Sequence, residues 1–163
     1  VVAQIFRKAI GGTVHEQIPI TNTPLFLTTI IPSSNTVSTA NEMSRFAEIW
    51  RRGGTLDGVR VVSPETMYGA VKECRRLRPD FAVGLQPARW GTGFILGTDR
   101  WGPFGRHASH AFGNLGLVNI AIWADPARGL AAGVVSSGKP GRDPEAKRYT
   151  ALLDKITAEI PAG

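Results

Sequence analysis

The stretch His110-Ala-Phe-Gly-Asn-Leu-Gly-Leu-Val-Asn-Ile-Ala-Ile-Trp-Ala-Asp-Pro-Ala-Arg-Gly129 decides how the rest of the chain is read. A glycine-bearing entry leads into an apolar run, 115–124, that reads as one buried strand. Asp125-Pro-Ala-Arg-Gly129 then turns the chain: proline suits the second turn position, and glycine the positive-φ position after it. Residues 130–136 return antiparallel. Asn119 is the polar exception inside the run, and it asks for a hydrogen-bond partner, on a neighbouring loop or on a ligand. Gly113 and Gly116 mark positions where the backbone comes close to something.

Upstream, Thr39 and Glu42 form a capping box ahead of an apolar stripe of Met43, Phe46, Ala47, Ile49 and Trp50, which predicts a helix ended by Gly53-Gly54. A turn and short strand follow over 56–62. Ser63 and Pro64 open a second predicted helix with the stripe Met67, Ala70, Val71, Cys74 and Leu77, stopped by Pro79. Residues 90–96, with Gly91 and Gly93, read as a strand that another element crosses closely, and 98–109 as a loop. Asp143 and Pro144 open a last helix with Ala146, Tyr149, Leu152, Leu153, Ile156 and Ile160 on its apolar side. The implied class is α+β, an antiparallel sheet flanked by helices over 39–163. Residues 1–38, rich in proline and threonine, read as an extended excursion lying over a cleft.

At 163 residues the chain suffices for one core. It opens on Val1 and is read as a processed product or a piece of something longer. No run approaches the roughly 18 to 20 apolar residues of a membrane span, and the compartment is left open. The single cysteine, Cys74, excludes an internal disulfide and falls at an apolar helical position, as a buried structural thiol does. The net charge of +6 is spread out. Its one cluster, Lys72, Arg75, Arg76 and Arg78, reads as the solvated side of a helix, and nothing resembling a nucleic-acid signature accompanies it. No His, Cys or carboxylate spacing suits a metal, and no cofactor is expected.

Four pieces in this order resemble the C-terminal part of the serine β-lactamase-like family, which includes class C β-lactamases and family VIII carboxylesterases. They are Ser38-Thr-Ala-Asn-Glu-Met-Ser-Arg-Phe46, Gly53-Gly-Thr-Leu-Asp-Gly-Val-Arg-Val-Val-Ser-Pro-Glu65, Trp90-Gly-Thr-Gly-Phe94, and Phe112-Gly-Asn-Leu-Gly116 running on to Trp123-Ala-Asp-Pro126. The resemblance implies the C-terminal part of the β-lactamase/penicillin-binding transpeptidase-like fold and acyl transfer through a Ser-x-x-Lys, a Tyr-x-Asn and a Lys-Thr-Gly or His-x-Gly motif. Only the third falls within this chain. Ser136-Ser-Gly-Lys139 matches the first by letter, but it ends a strand and runs into Pro140-Gly141. Neither Tyr68 nor Tyr149 begins a Tyr-x-Asn, and both read as packing residues.

Counted back from Asp125-Pro126, the His or Lys position falls on Asn114, giving Asn114-Leu115-Gly116; starting from His110 loses the spacing. By the resemblance, Asn114 and Gly116 line the site, and the Leu117 N–H is the candidate oxyanion donor. Leu115, Val118, Asn119 and His110 are candidate substrate-binding residues, and His107 shares the loop with His110. The resemblance further implies an esterase or lipase acting on a small ester or lipid substrate, its nucleophile upstream. A non-catalytic or β-lactam- or peptide-binding relative is the alternative. The expected partners are the N-terminal segment of the same protein, which completes the sheet, or a second copy.

Overall fold

The structure is a computed structural model, and it describes residues 4, 7–8, 11–31, 35–80, 87–100, 102–116, 120–136 and 143–163. The chain divides into two compact units, Val1–Ser38 and Thr39–Gly163.

The first unit carries two short helices, α1 (Val14–Thr21) and α2 (Pro24–Thr28), where the sequence suggests an extended path. The threonines decide the difference, because two of them cap helices. Thr13 accepts from the Glu16 backbone N–H while Glu16 reaches back to the Thr13 N–H at 2.6 Å. Thr23 caps α2, with Pro24 at its first position, where a missing donor costs nothing. Pro19 lies inside α1.

The second unit opens with α3 (Ala40–Arg51), whose capping box of Thr39 and Glu42 forms as its spacing predicts. Ala47 and Ile49 are buried, while Phe46, assigned to the apolar stripe, is half exposed. Gly53 and Gly54, both at positive φ, end the helix. A small hairpin follows, β1 (Thr55–Leu56) with β2 (Val59–Arg60).

Helix α4 (Pro64–Val71) is capped by Ser63 but is shorter than its apolar stripe suggests. The chain leaves the helix at Lys72 and becomes strand β3 (Glu73–Pro79). Cys74 and Leu77 are therefore not on a helix face, and Cys74 is exposed rather than a buried thiol. The basic cluster lies on a sheet edge instead of a helix, with Arg75 paired to the buried Asp80 at 2.7 Å. The strand β4 (Pro87–Gly91) gives the reason: β3 pairs with it antiparallel, and that ladder outweighs the helical period.

The main sheet is a six-stranded meander in which every hydrogen-bonded neighbour is also the next strand in sequence: β3, β4, β5 (Ile95–Leu96), β6 (Phe112–Gly116), β7 (Ile120–Asp125) and β8 (Leu130–Val134). Two single strands of the sequence reading are thereby corrected to hairpins. Residues 90–96 form the β4–β5 hairpin, and 115–124 divide between β6 and β7, registered Phe112 to Ala124 through Gly116 to Ile120. Between Asp125 and Gly129 the expected turn forms, a 3-10 turn over Pro126–Arg128 with Gly129 at φ 61°. Helix α5 (Asp143–Glu159) ends the fold, and Leu152 on its predicted stripe is half exposed.

Strand alternation sends side chains to two faces. Trp123, Ala121 and Ile95 pack with Phe104, Ala108, Ala111 and Leu153, so α5 and the 102–111 loop cover one face. Phe112, Ala124, Phe94 and Leu96 pack with Met67, Trp50 and Val71, so α3 and α4 cover the other. Glycines set the close approaches. A Cβ on Gly113 would lie 2.1 Å from the Ile122 carbonyl oxygen, and one on Gly91 would lie 2.6 Å from that of Ala70, where α4 crosses as Gly91 and Gly93 suggest. At Gly133 it would lie 2.6 Å from the Ala40 carbonyl oxygen, where α3 crosses β8. Asp125 is fully buried, and its Oδ2 accepts from Arg128 Nη1 at 2.8 Å.

Two outcomes follow for the full-length protein. Gly113→Ala is expected to cost about 3 kcal/mol, because the new methyl meets backbone rather than a mobile side chain. By contrast Gly69→Ala, in α4 with open space around it, is expected to gain up to about 1 kcal/mol; denaturant titration measures both. Burial pushes the Tyr149 hydroxyl up to about 12, and no partner satisfies it among the described residues. Between pH values of about 10 and about 12 the unfolded chain gives up this proton before the folded one, so stability present below about 10 is lost as pH rises. Tyr149→Phe should flatten that alkaline decline in thermal melts, relative to the parent protein.

Candidate active site

Strand β6 connects two different environments. At its start Phe112 and Gly113 are buried, whereas Asn114, Leu115 and Gly116 are exposed. The register places Asn114 beside Ile122, and Ile122 beside Gly133, in one row on the face that α3 and α4 cover. Leu115 points to the opposite face, beside Ala121, and is 38% exposed.

The two glycines of the strand do different work. Gly113 is a packing glycine that lets β6 lie against the β7 backbone at Trp123. A Cβ on Gly116 would lie 3.0 Å from the Ile120 Cβ, so this glycine relieves a tight cross-strand contact with a side chain, while the residue itself is exposed at the strand end.

Asn114 is held by a part of the fold not singled out with it in the sequence. Its Nδ2 donates to the Gly93 carbonyl at 3.5 Å, and the Gly93 N–H donates to the Ala70 carbonyl at 3.0 Å. The β4–β5 turn thus ties the end of α4 to the exposed end of β6. The Gly-x-Gly of residues 91–93 was the available signal; it marks a close crossing but does not say what the freed carbonyl faces.

Asn114 and Gly116 share one face of β6, Leu115 lies on the other, and His110 precedes the strand. Gly116 lies about 13 Å from Phe112 at a strand rise of about 3.3 Å per residue, and His110 precedes Phe112, at the other end. His107 shares that far loop; it sits at φ 54° and donates its backbone N–H to the Asp99 carbonyl at 2.8 Å. Leu117, Val118 and Asn119 lie outside the described residues, as does Lys139. Ser136 follows the end of β8 in irregular structure, not on a helix. Tyr149, on α5, packs against the core, while Tyr68, read as a packing residue, is 69% exposed. Asp125 is fixed in its ion pair with Arg128, in keeping with a turn residue. No helix among the described residues is long and apolar enough to cross a membrane.

Comparison with known proteins places this arrangement. A family model described as Beta-lactamase matches residues 2–155. The chain is 31% identical over 105 residues to the Esterase/beta-lactamase LipL of Mycobacterium tuberculosis (strain ATCC 25618 / H37Rv), covering 64% of this chain and 23% of that protein. Among solved structures, a penicillin-binding protein homolog from Caulobacter crescentus superposes with a TM-score of 0.61 at 27% identity, covering 74% of this chain and 32% of that one. A family VIII carboxylesterase superposes with a TM-score of 0.66 over 85% of this chain and 37% of its own; at 24% identity that likeness speaks for the fold alone. The chain therefore spans about a quarter of the curated relative and about a third of the solved ones. With its helices on both faces of an antiparallel meander and the family model matched from residue 2 to residue 155, the chain belongs to the beta-lactamase family.

Proposed function

We propose that this chain is the C-terminal part of a serine ester hydrolase, an esterase or lipase that works through an acyl-serine intermediate. The observation that carries the reading is the exposed end of β6, where Asn114 and Gly116 stand at an open strand terminus while the rest of the strand is core. The esterase name borne by the curated relative supports it. The nucleophilic Ser-x-x-Lys belongs to a segment outside these 163 residues, since the only letter match, Ser136 to Lys139, begins beyond the end of a strand.

In this mechanism the serine oxygen attacks the ester carbonyl carbon, negative charge develops on the carbonyl oxygen, and the alcohol departs with a proton. Water then releases the acid and restores the serine. The Leu117 backbone N–H, next after Gly116, is the proposed second donor to the oxyanion; removing such a donor typically costs roughly 2.7 to 4 kcal/mol at the transition state. Leu115, Val118 and Asn119 complete the proposed substrate wall. Asn114 stands where relatives carry His or Lys and cannot hold charge or shuttle a proton at neutral pH. That favours an ester over a substrate bearing a carboxylate. It also motivates the second reading, a relative that binds acyl or peptide ligands without turnover.

The proposed partner of this chain is the remaining segment of the same protein, paired along β8, or else a second copy. Strand β8 is Leu-Ala-Ala-Gly-Val, without a charge, a proline or a bulge to blunt its outer edge, which no strand pairs among the described residues. The opposite edge, β3, carries Arg75, Arg76 and Arg78 and two register irregularities, the usual means of discouraging pairing.

Full-length protein is expected to hydrolyse short-chain p-nitrophenyl esters and to be labelled by a serine-reactive phosphonate. Neither turnover nor labelling would sink the hydrolase reading, and saturable binding of the ester without turnover would favour the second. The isolated chain should be inactive, and in size-exclusion chromatography it should run as an oligomer or aggregate. A monodisperse, cooperatively melting monomer would contradict the role given to β8.

A further inference from the structure

We propose that the outer edge of β3 is an electrostatic docking surface for an anionic phospholipid membrane; the proposal is independent of the hydrolase reading. Residues 72–78 set the four cations Lys72, Arg75, Arg76 and Arg78 against one carboxylate, Glu73, a net +3 and half of the chain's net charge of +6. The carboxylates at this edge are already answered. Glu73 accepts from Arg89 Nη2 at 3.0 Å, and the buried Asp80 accepts from Arg75 Nη1 at 2.7 Å and from the Trp90 indole N–H at 2.9 Å. Lys72, Arg76 and Arg78 are exposed and have no ion pair among the described residues. From Lys72 to Arg78 these cations are spread along about 20 Å of chain, at about 3.3 Å per residue.

No strand pairs the outer side of β3 among the described residues, and its two register irregularities break the ladder that a further strand needs. Charge is what this edge presents, and Leu77 decides which polyanion it suits. Leu77 stands between Arg76 and Arg78 and is 49% exposed, and the strand carries no aromatic side chain to stack on a base. At a bilayer surface the guanidinium groups meet phosphate, while the leucine and the arginine stems enter the apolar boundary. Beside Leu77 lies a hollow of about 410 Å³, lined also by Arg89, Thr98, Asp99 and Arg100. Arg89 is committed to Glu73 and to the Gly97 carbonyl, and Asp99 offsets Arg100. The hollow therefore supplies room for a headgroup, and the strand supplies the attraction.

The test is co-sedimentation of the full-length protein with vesicles of phosphatidylcholine, alone or mixed with phosphatidylglycerol. Binding is expected only to the mixed vesicles. It should disappear between about 0.1 M and about 1 M salt, as the screening length falls from about 10 Å to about 3 Å. Each cation near an anionic surface is worth roughly fivefold in affinity, so Arg76→Gln with Arg78→Gln should weaken binding about 25-fold. Arg45→Gln with Lys155→Gln removes the same charge from exposed positions on α3 and α5 and should leave binding unchanged. Thermal melts check that both variants fold; should the first not, Arg78→Gln alone is expected to lose roughly fivefold. Absence of binding to the mixed vesicles would overturn the proposal, and so would equal losses from the two pairs. Equally tight binding to a DNA duplex, lost in the same Arg76 and Arg78 variant, would overturn it in favour of a nucleic-acid partner.

Discussion

The pairing of β6 with β7 is the constraint on which the rest of this fold depends. Trp123 is fully buried on one face and Phe112 is buried on the other, so the register between the strands cannot slip by one residue without turning both faces over. Gly113 is what permits the pairing, because it faces the β7 backbone at Ile122 and Trp123 with no room for a methyl. Once that register is set, Asn114 and Gly116 must emerge at the uncovered end of the strand. The polar end and the apolar core are therefore one strand's two halves, and the candidate site takes its position from packing that begins one residue away at Gly113.

Helices on both faces then divide the labour. The α5 face holds the larger aromatic core, with Phe104 stacked near Trp123 at a centroid distance of 5.9 Å. The α3 and α4 face carries a run of ring contacts from Phe46 through Trp50 and Phe94 to Phe112. This second face is the one on which Asn114 lies: the chain of rings seats α3 against the β4–β5 turn at Phe94, the Ala70 carbonyl of α4 holds that turn at Gly93, and the turn accepts from the Asn114 amide. At the other end of the sheet, the buried Asp125 and Arg128 pair secures the β7–β8 turn, and Arg128 also reaches the Thr157 carbonyl of α5 at 3.5 Å. Such a pair is costly to break singly, by about 3 to 5 kcal/mol, even where its net contribution is small.

Much of this was legible in the residues. The capping box of Thr39 and Glu42, the Ser63-Pro64 helix start and the Asp125 to Gly129 turn are local signals, and each is satisfied within a few residues. The errors arose where partners distant in sequence decide the outcome. Cys74 and Leu77 continue a helical period, yet pairing with β4 draws them into a strand. The run through 115–124 does carry Gly116 and Asn119, residues that suit turns, but they read equally as a close approach and a buried polar group inside one apolar strand, so its division between two strands was missed. At the candidate site, the family likeness could propose Asn114 and Gly116, but the Gly93 carbonyl that accepts from Asn114 is backbone and leaves no letter in the sequence. His110 lies in the turn before β6, separated from Asn114 by the buried start of the strand.

The crossing of α3 over β8 at Gly133 has a consequence for how the molecule assembles. Every strand of the meander pairs with its immediate successor, so the sheet can grow hairpin by hairpin with short loop closures. Helix α3 opens this unit and β8 is the last strand of its sheet, and they meet with backbone against backbone. Bringing them together closes a loop that spans the whole sheet, and its entropic cost rises with the logarithm of its length. The contact between the first helix and the last strand is thus expected to be a late event in folding, and a ribosome that has not yet released β8 holds α3 without its seat.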